Sequence, residues 1–431
     1  MSSSLLQQAL NKRFETLNSI HPFYATKQQA WYDFQAQGFP TLQDEAYKYT
    51  PVASLFAAYF SGAQPNTPYT KTPEAISSVD YCDIDAYHVV LINGQVSNKY
   101  TQLSGHQSRI QILTFQEAYQ QQHPTFLAHF SQHDQSKTDA LTALNTAFFE
   151  EGLFIHIADH VVLDKPICLY HYTTSSTCQH VPMTYPRLLV VAGKCSQASI
   201  IASWHTMGLT NSVAEVIVQE RAHIDYYTLQ TNMGQQNHQV NITRCQQAKQ
   251  SRLNTYTFTW SGALVRNNLY HRIDAPHSET NMYGLYCLRG QQHVDNFTLI
   301  DHRKPHTCSK ELYKGIMMDA STSVFNGRIY VRSEAQKTNA FQANNNLVLS
   351  SQATLHTKPQ LEIWADDVKC SHGATTSQLD EEQLFYLRAR GLQEDTARHL
   401  LRQAFAHEVI DKVPLATLRT QLHRNLAAQE N

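Results

Sequence analysis

The sequence predicts a mainly β chain with α-helical regions at its two ends. Three observations carry this. From about residue 150 to about 365 the chain is a succession of short stretches alternating at period two, rich in Val, Ile, Thr, Tyr and Phe, with no regular helices between them. Apolar residues at spacings of three and four cluster in the first 60 and last 60 residues. Apolar residues make up 42% of the 431, including 22 Tyr and 18 Phe, which is ample for a packed core. The length has room for two or three domains at roughly 100–200 residues each.

Leu6, Leu10, Phe14 and Leu17 form an amphipathic stripe, and the helical composition resumes at Gln28 and stops at Gly38-Phe39-Pro40. Asp44 to Pro51 is a short segment closed by Pro, and residues 61–80, rich in Pro, Ser and Thr, read as a surface connection. His88 to Ile92 is a short apolar run closed by Asn93-Gly94, a strong turn signal. A helical interlude spans about 115–148. Leu153, Ile155 and Ile157 then alternate with their neighbours, as do Tyr256, Phe258 and Trp260, and the stretch His293 to Asp301. More than 200 such residues exclude a βαβ sheet and leave a sandwich, a propeller or a solenoid. The Asn, Gln and Thr content, with Asn344-Asn345-Asn346, leans toward a solenoid whose side chains stack in ladders. At the C-terminus, Asp380 is placed to cap a helix ending at Gly391. A second helix carries Ala397, Leu400, Leu401, Ala404 and Phe405, and Pro414 opens a third with Leu415, Leu418 and Leu422 on one face. These helices can pack on their own β domain or on a second protein. The expected division is 1–148 (N-terminal helices and first strands), 149–365 (β core) and 366–431 (C-terminal region).

Charge excludes some functions. With 34 Lys+Arg against 36 Asp+Glu there is no basic excess for nucleic acid. No run approaches 18 apolar residues, so no membrane span is expected. The N-terminus lacks a signal-peptide pattern, and the eight Cys are scattered without a CxxC, so reduced thiols in the cytoplasm are expected. There is no GxxxxGK[ST], GxGxxG, HExxH or GxSxG, and the 15 Gly leave little for a phosphate loop. Any ATP-driven step belongs to a partner.

The most unusual string is Ala365 to Thr375, containing Cys370-Ser371-His372-Gly373. On a strand, Cys370 and His372 project to one face, and thiolate and imidazole together suit iron, zinc or copper. Asp366 and Asp367 are candidate second acceptors or hard ligands. Two ligands are too few for a tight site, so further ligands come from elsewhere or from another chain; alternatively the pairing is incidental in a chain with 23 His. The histidines 271, 277, 293, 302 and 306, interleaved with Asp274, Glu279, Asp295 and Asp301, read better as structural than as ligands. Cys308 reads as a buried thiol.

Residues 358–392, from Lys358-Pro359 through Cys370-Ser371-His372-Gly373-Ala374-Thr375 to Arg390-Gly391, resemble the signature of the SufB/SufD family of iron–sulfur cluster assembly proteins. Tyr313-Lys314-Gly315-Ile316, Val324-Phe325-Asn326-Gly327, Ala335-Gln336-Lys337-Thr338 and Asn344 to Leu347 are similar to further family motifs in the same order. Asp44-Glu45 with Tyr47 to Pro51 resembles an N-terminal family segment, with Tyr47 where Trp is usual. Around Ile200 to His205 the family's frequent Glu is absent. The short N-terminus, with no Cys before residue 82, and the CxH string are similar to the SufD branch. The resemblance implies a right-handed parallel β-helix core flanked by helical regions. It implies a non-catalytic scaffold in a SufBCD complex, pairing with SufB through a β-helix edge and docking the SufC ATPase through the C-terminal helices. It also implies a transient iron–sulfur cluster shared with SufB, with His372 and Cys370 as candidate ligands and no cofactor held tightly by the isolated chain. The same edge is expected to pair two copies when the chain is alone. Two rival readings are a β-solenoid enzyme acting on polysaccharide, for which no groove of acid/base carboxylates is identifiable, and a purely structural β-helix.

Overall fold

The computed structural model describes residues 3–17, 21–60, 84–103, 109–130, 139–173, 182–231, 233 and 236–428. The connection expected over 61–80 lies outside them. Nine α-helices occur among the described residues: α1 (Ser3–Glu15), α2 (Tyr24–Gln37), α3 (Val52–Phe60), α4 (Phe115–Gln120), α5 (Pro124–His129), α6 (Ala140–Phe148), α7 (Glu381–Ala389), α8 (Glu394–Ile410) and α9 (Ala416–Ala428). Asp380 caps α7 by accepting from the amides of Glu382 and Gln383, and Gly391, at φ +94°, follows its end.

From Gln197 onward the chain alternates between two facing sheets, and each strand pairs in parallel with the strand two places on. In the first sheet, for example, Arg252–Thr259, Glu279–Leu288, Cys308–Met317, Asn339–Val348 and Lys369–Ser377 lie side by side. That connectivity is a parallel solenoid, not a sandwich. One turn advances by between 26 residues, as in His238↔Leu264, and 32, as in Thr322↔Thr354.

A repeated corner closes each turn. Cys195, Arg221, Gln250, His277, His306 and Lys337 all sit at φ between 56° and 62°. Left-handed backbone is uncommon outside Gly. Here it aims amides at the next rung: Arg221 donates to the Lys249 carbonyl, Gln250 to Pro276, His306 to Gln336 and Lys337 to Asp367. At every one of these corners but Arg221, the next residue is Ser or Thr, and its hydroxyl turns back three residues, as in Ser196 to Gly193 (2.7 Å), Ser251 to Ala248 (2.6 Å) and Thr338 to Ala335 (2.8 Å).

The lumen is partly polar, and its polar groups stack. Ser212, Asn241, Asn267 and Asn296 are register neighbours joined by hydrogen bonds of 2.9, 3.4 and 3.0 Å. Asn344 and Asn346 are wholly buried and bonded to each other. Two tyrosines fill the lumen because two glycines leave room. A Cβ on Gly284 would meet the Tyr313 ring at 2.1 Å, and one on Gly315 would meet Tyr286 at 2.1 Å.

Outside, α1, α2, α3 and α6 bury Leu10, Trp31, Phe34, Phe56 and Phe148 against Leu189, Val191, Val213 and Val240 of the second sheet. The segment Asp44–Pro51 is strapped to the same face. The Arg266 guanidinium lies 3.8 Å from the Tyr47 ring centre, Tyr49 stacks on His356 at 3.7 Å, and Glu45 pairs with Arg328 (3.0 Å) and Lys358. On the first sheet, α8 and α9 bury Ala406, Val409, Ile410, Leu418, Leu422 and Leu426 against Tyr227, Tyr256, Leu285 and Ile316. Much of the apolar surface of the C-terminal helices is therefore spent on their own β core, while Leu400 and Ala404 of the expected stripe face outward. Lys314 pins α8 by donating to the Phe405 carbonyl (3.1 Å) and pairing with Glu408.

Candidate functional site at the open end of the solenoid

The strands Lys369–Ser377 and Thr354–Ile363 are the last of their sheets, each paired on one side only. Their outer edges present unpaired backbone groups, a template for another strand. The strand Lys369–Ser377 is exposed at eight of its nine positions, unlike the strand Leu209–Val218, which is buried at all ten. Around this end Phe341, Ile363 and Trp364 cluster at 47%, 40% and 50% exposed.

Cys370 and His372 stand on this last rung. Their register partners are Ala340 and Gln342, both buried, so the two side chains lie over the lumen column rather than over the outer face. Cys370 is half-buried against the lumen core beside Leu361 and Val368, while His372 is exposed at its mouth. Burial pushes the Cys370 thiol up, partly offset by a hydrogen bond with the Ala340 backbone. A metal captured there displaces the thiol proton, because the thiolate is the ligand.

The two aspartates do not join them. Asp367 pairs with Lys337 and accepts the Lys337 amide at the corner turn, so it is occupied structurally. No group of three or more His, Cys, Asp or Glu able to hold a metal occurs among the described residues. Thiolate and imidazole fit half of a cluster or metal site, which a second chain laid on this edge can complete.

The other histidines disperse. His271 and His302 are buried in the lumen on Thr280 (2.7 Å) and on Thr307 and Ser309 (2.7 and 2.9 Å). His293 meets Thr50 on the outer face, and His277 and His306 stack at the corner. Cys308 corrects the expectation of a buried thiol. It is exposed, because it begins a strand on the outward face beyond the cover of α8. Sequence reasoning also missed what lies beneath His372. Gln342 and, one rung lower, Glu311 are buried in register under it, joined by a 2.6 Å hydrogen bond. Only the rung register, hidden in single-strand patterns, could have revealed that column.

Residues 172–405 match the family described as SUF system FeS cluster assembly, SufBD core domain, and residues 7–169 match the SufBD protein N-terminal region. This chain belongs to the SufB/SufD family. An iron–sulfur cluster assembly SufBD family protein of Synechocystis sp. is 32% identical over 402 residues, covering 89% of this chain and 86% of the relative. The iron–sulfur cluster assembly protein SufD of Escherichia coli is 27% identical over 89% of this chain and 88% of its own length. SufD of Bacillus subtilis is 25% identical over 70% of each chain. Membership in the SufB/SufD family accords with the motif order and with the parallel solenoid. No helix among the described residues is long and apolar enough to cross a membrane.

Proposed function

We propose that this chain is the SufD-type scaffold subunit of a cytoplasmic SufB–SufC–SufD assembly, where it lends His372 and Cys370 to a transient iron–sulfur cluster at the seam with SufB. The observation that carries the reading is a coincidence of place: the CxH string occupies the last rung, whose edge is unpaired and ringed by exposed Phe341, Ile363 and Trp364. A SufB strand continuing the sheet brings ligands of its own to the same point, and a second copy of this chain uses the same edge when SufB is absent. The cluster is cargo, held by a mixed and incomplete ligand set from each side, which favours release. The chain itself is non-catalytic, and ATP hydrolysis belongs to SufC.

The test is iron and acid-labile sulfide per co-expressed complex, with gel filtration to follow assembly. His372→Ala removes an exposed side chain with little packing, so assembly is expected to persist while iron and sulfide fall sharply. Cys370→Ser is expected to fall less. An assembled His372→Ala complex with wild-type iron and sulfide overturns the assignment.

A further inference from the structure

Beneath the open end, a buried polar column has two atoms without a hydrogen-bond partner, Gln342 Oε1 at its top and Glu311 Oε1 one rung lower. Gln342 is 3% exposed, and its Nε2 donates to Glu311 Oε2 at 2.6 Å. Its Oε1 is buried without a hydrogen-bond partner. An unmet buried carbonyl of this kind costs about 1–3 kcal/mol. The amide is pinned in this sense twice. Glu311 Oε2 accepts from the NH₂ end, as a carboxylate oxygen or, with the proton on Oε1, as the carbonyl oxygen of the acid. Across the lumen, a Cβ on Gly327 would approach Gln342 Nε2 to 2.3 Å, so only Gly leaves space for the amide nitrogen there. The oxygen is thus the end left for another partner. One rung lies beyond Gln342, and the residue in register on it is His372. Parallel rungs are about 4.8 Å apart, within reach of stacked side chains.

We propose that Gln342 is a positioning residue for His372: its free Oε1 takes one imidazole N–H once a partner strand confines the ring at the lumen mouth, leaving the other ring nitrogen bare for the cluster. The inference rests on the ligand reading of His372 given above. A neutral imidazole that donates through one nitrogen presents its lone pair at the other, and the acceptor sets which is which. Glu311 and Gly327 act through Gln342 by fixing its amide. The column also gives a physical role to the Gly of Val324-Phe325-Asn326-Gly327.

The test uses the co-expressed complex with ¹⁵N-histidine, reading by pulsed EPR the imidazole nitrogen couplings of the reduced cluster, and separately the rate of iron loss to a chelator. His372→Ala identifies the signal by abolishing it. Gln342→Met keeps the bulk and removes the acceptor. It is expected to shift the remote-nitrogen coupling and to speed iron loss by about 10-fold or more, the usual range for second partners of a metal-bound histidine. Gln342→Glu restores an acceptor, with the proton of Glu311 replacing the lost amide donor across the same contact, and is expected to recover both readouts. Gly327→Ala presses its Cβ on the Gln342 amide, and on the Phe325 ring at 2.8 Å, while leaving the identities of Gln342 and His372 unchanged; it is expected to behave like Gln342→Met and supplies the measurement should that variant fail to assemble. Wild-type coupling and iron loss in the assembled Gln342→Met complex, or in Gly327→Ala where that variant stands in for it, overturn the proposal while leaving the ligand reading intact. Undiminished cluster and coupling in His372→Ala overturn both.

Discussion

Asp295 and Arg266 are each 1% exposed and form an ion pair on the outer face of the solenoid, under the strap Asp44–Pro51. The Thr50 hydroxyl also donates to Asp295, and the Tyr47 ring covers the guanidinium. Breaking one side of such a pair strands the other charge in a dry site. Asp295→Ala is therefore expected to lower stability by about 3–5 kcal/mol and to loosen the strap, read as urea unfolding and faster proteolysis after Lys48. A loss below about 1 kcal/mol would show that water reaches Arg266. At this scale the sequence was informative about identity and silent about neighbours. The order Asp44-Glu45, Tyr47-Lys48-Tyr49 is legible, and so is Cys370 with His372. That Tyr47 lies on Arg266, 219 positions on, or that Gln342 lies under His372, depends on register, which no local pattern encodes.

Helix ends were the most legible elements, because Asp380 and Gly391 act through their own backbone within one turn. Solenoid strands were legible as strands but not as rungs. A strand such as Leu209–Val218 is buried on both faces, by the lumen on one and by α6 and its neighbours on the other, so its alternation is blurred. The repeat leaves one local trace, a left-handed residue followed by Ser or Thr, at Cys195-Ser196, Gln250-Ser251, His277-Ser278, His306-Thr307 and Lys337-Thr338. The C-terminal helices had two open readings, and the structure shows much of their apolar surface packed on Tyr227, Tyr256 and Leu285. Removing everything after Gly391 would bare that surface and destabilise the β core, so such a truncation cannot isolate partner docking. What the helices leave outside is Phe385 (74% exposed), Tyr386 (58%) and Leu400 (40%) on α7 and α8. We propose this patch as the seat of SufC. Phe385→Ser with Tyr386→Ser is expected to abolish co-purification of SufC while leaving the unfolding midpoint unchanged, since neither side chain is buried. Retained SufC sinks the assignment.

Across the whole molecule the lumen is a single narrow compartment in which titratable groups are held away from water, and their opposed shifts give the stability a definite pH dependence. Burial pulls His171, His271 and His302 down to about 3 and pushes Glu311 up to about 7. Each histidine stays neutral in the fold but takes a proton when unfolded below its ordinary value near 6.5, so the stability it contributes is present above that pH and is lost as pH falls toward 3. Glu311 runs the other way. It keeps its proton in the fold and loses it when unfolded above about 4.5, so its contribution is full below 4.5 and is lost as pH rises through 7. Between pH 5 and 6.5 each such group differs by less than a full proton between the two states and is worth about 1 kcal/mol per pH unit. The three histidines outnumber the one carboxyl, and stability is expected to rise with pH across that window. His302→Gln removes one unfolded-state proton and is expected to flatten the rise by about 1 kcal/mol per unit. Glu311→Gln removes the opposing one and is expected to steepen it by about the same amount. Urea unfolding of the three proteins at pH 5, 5.75 and 6.5 separates the cases. The signs matter more than the sizes: changes of slope in the same direction for both variants, or in neither, would mean that water enters the lumen and that its histidines and Glu311 titrate as if exposed.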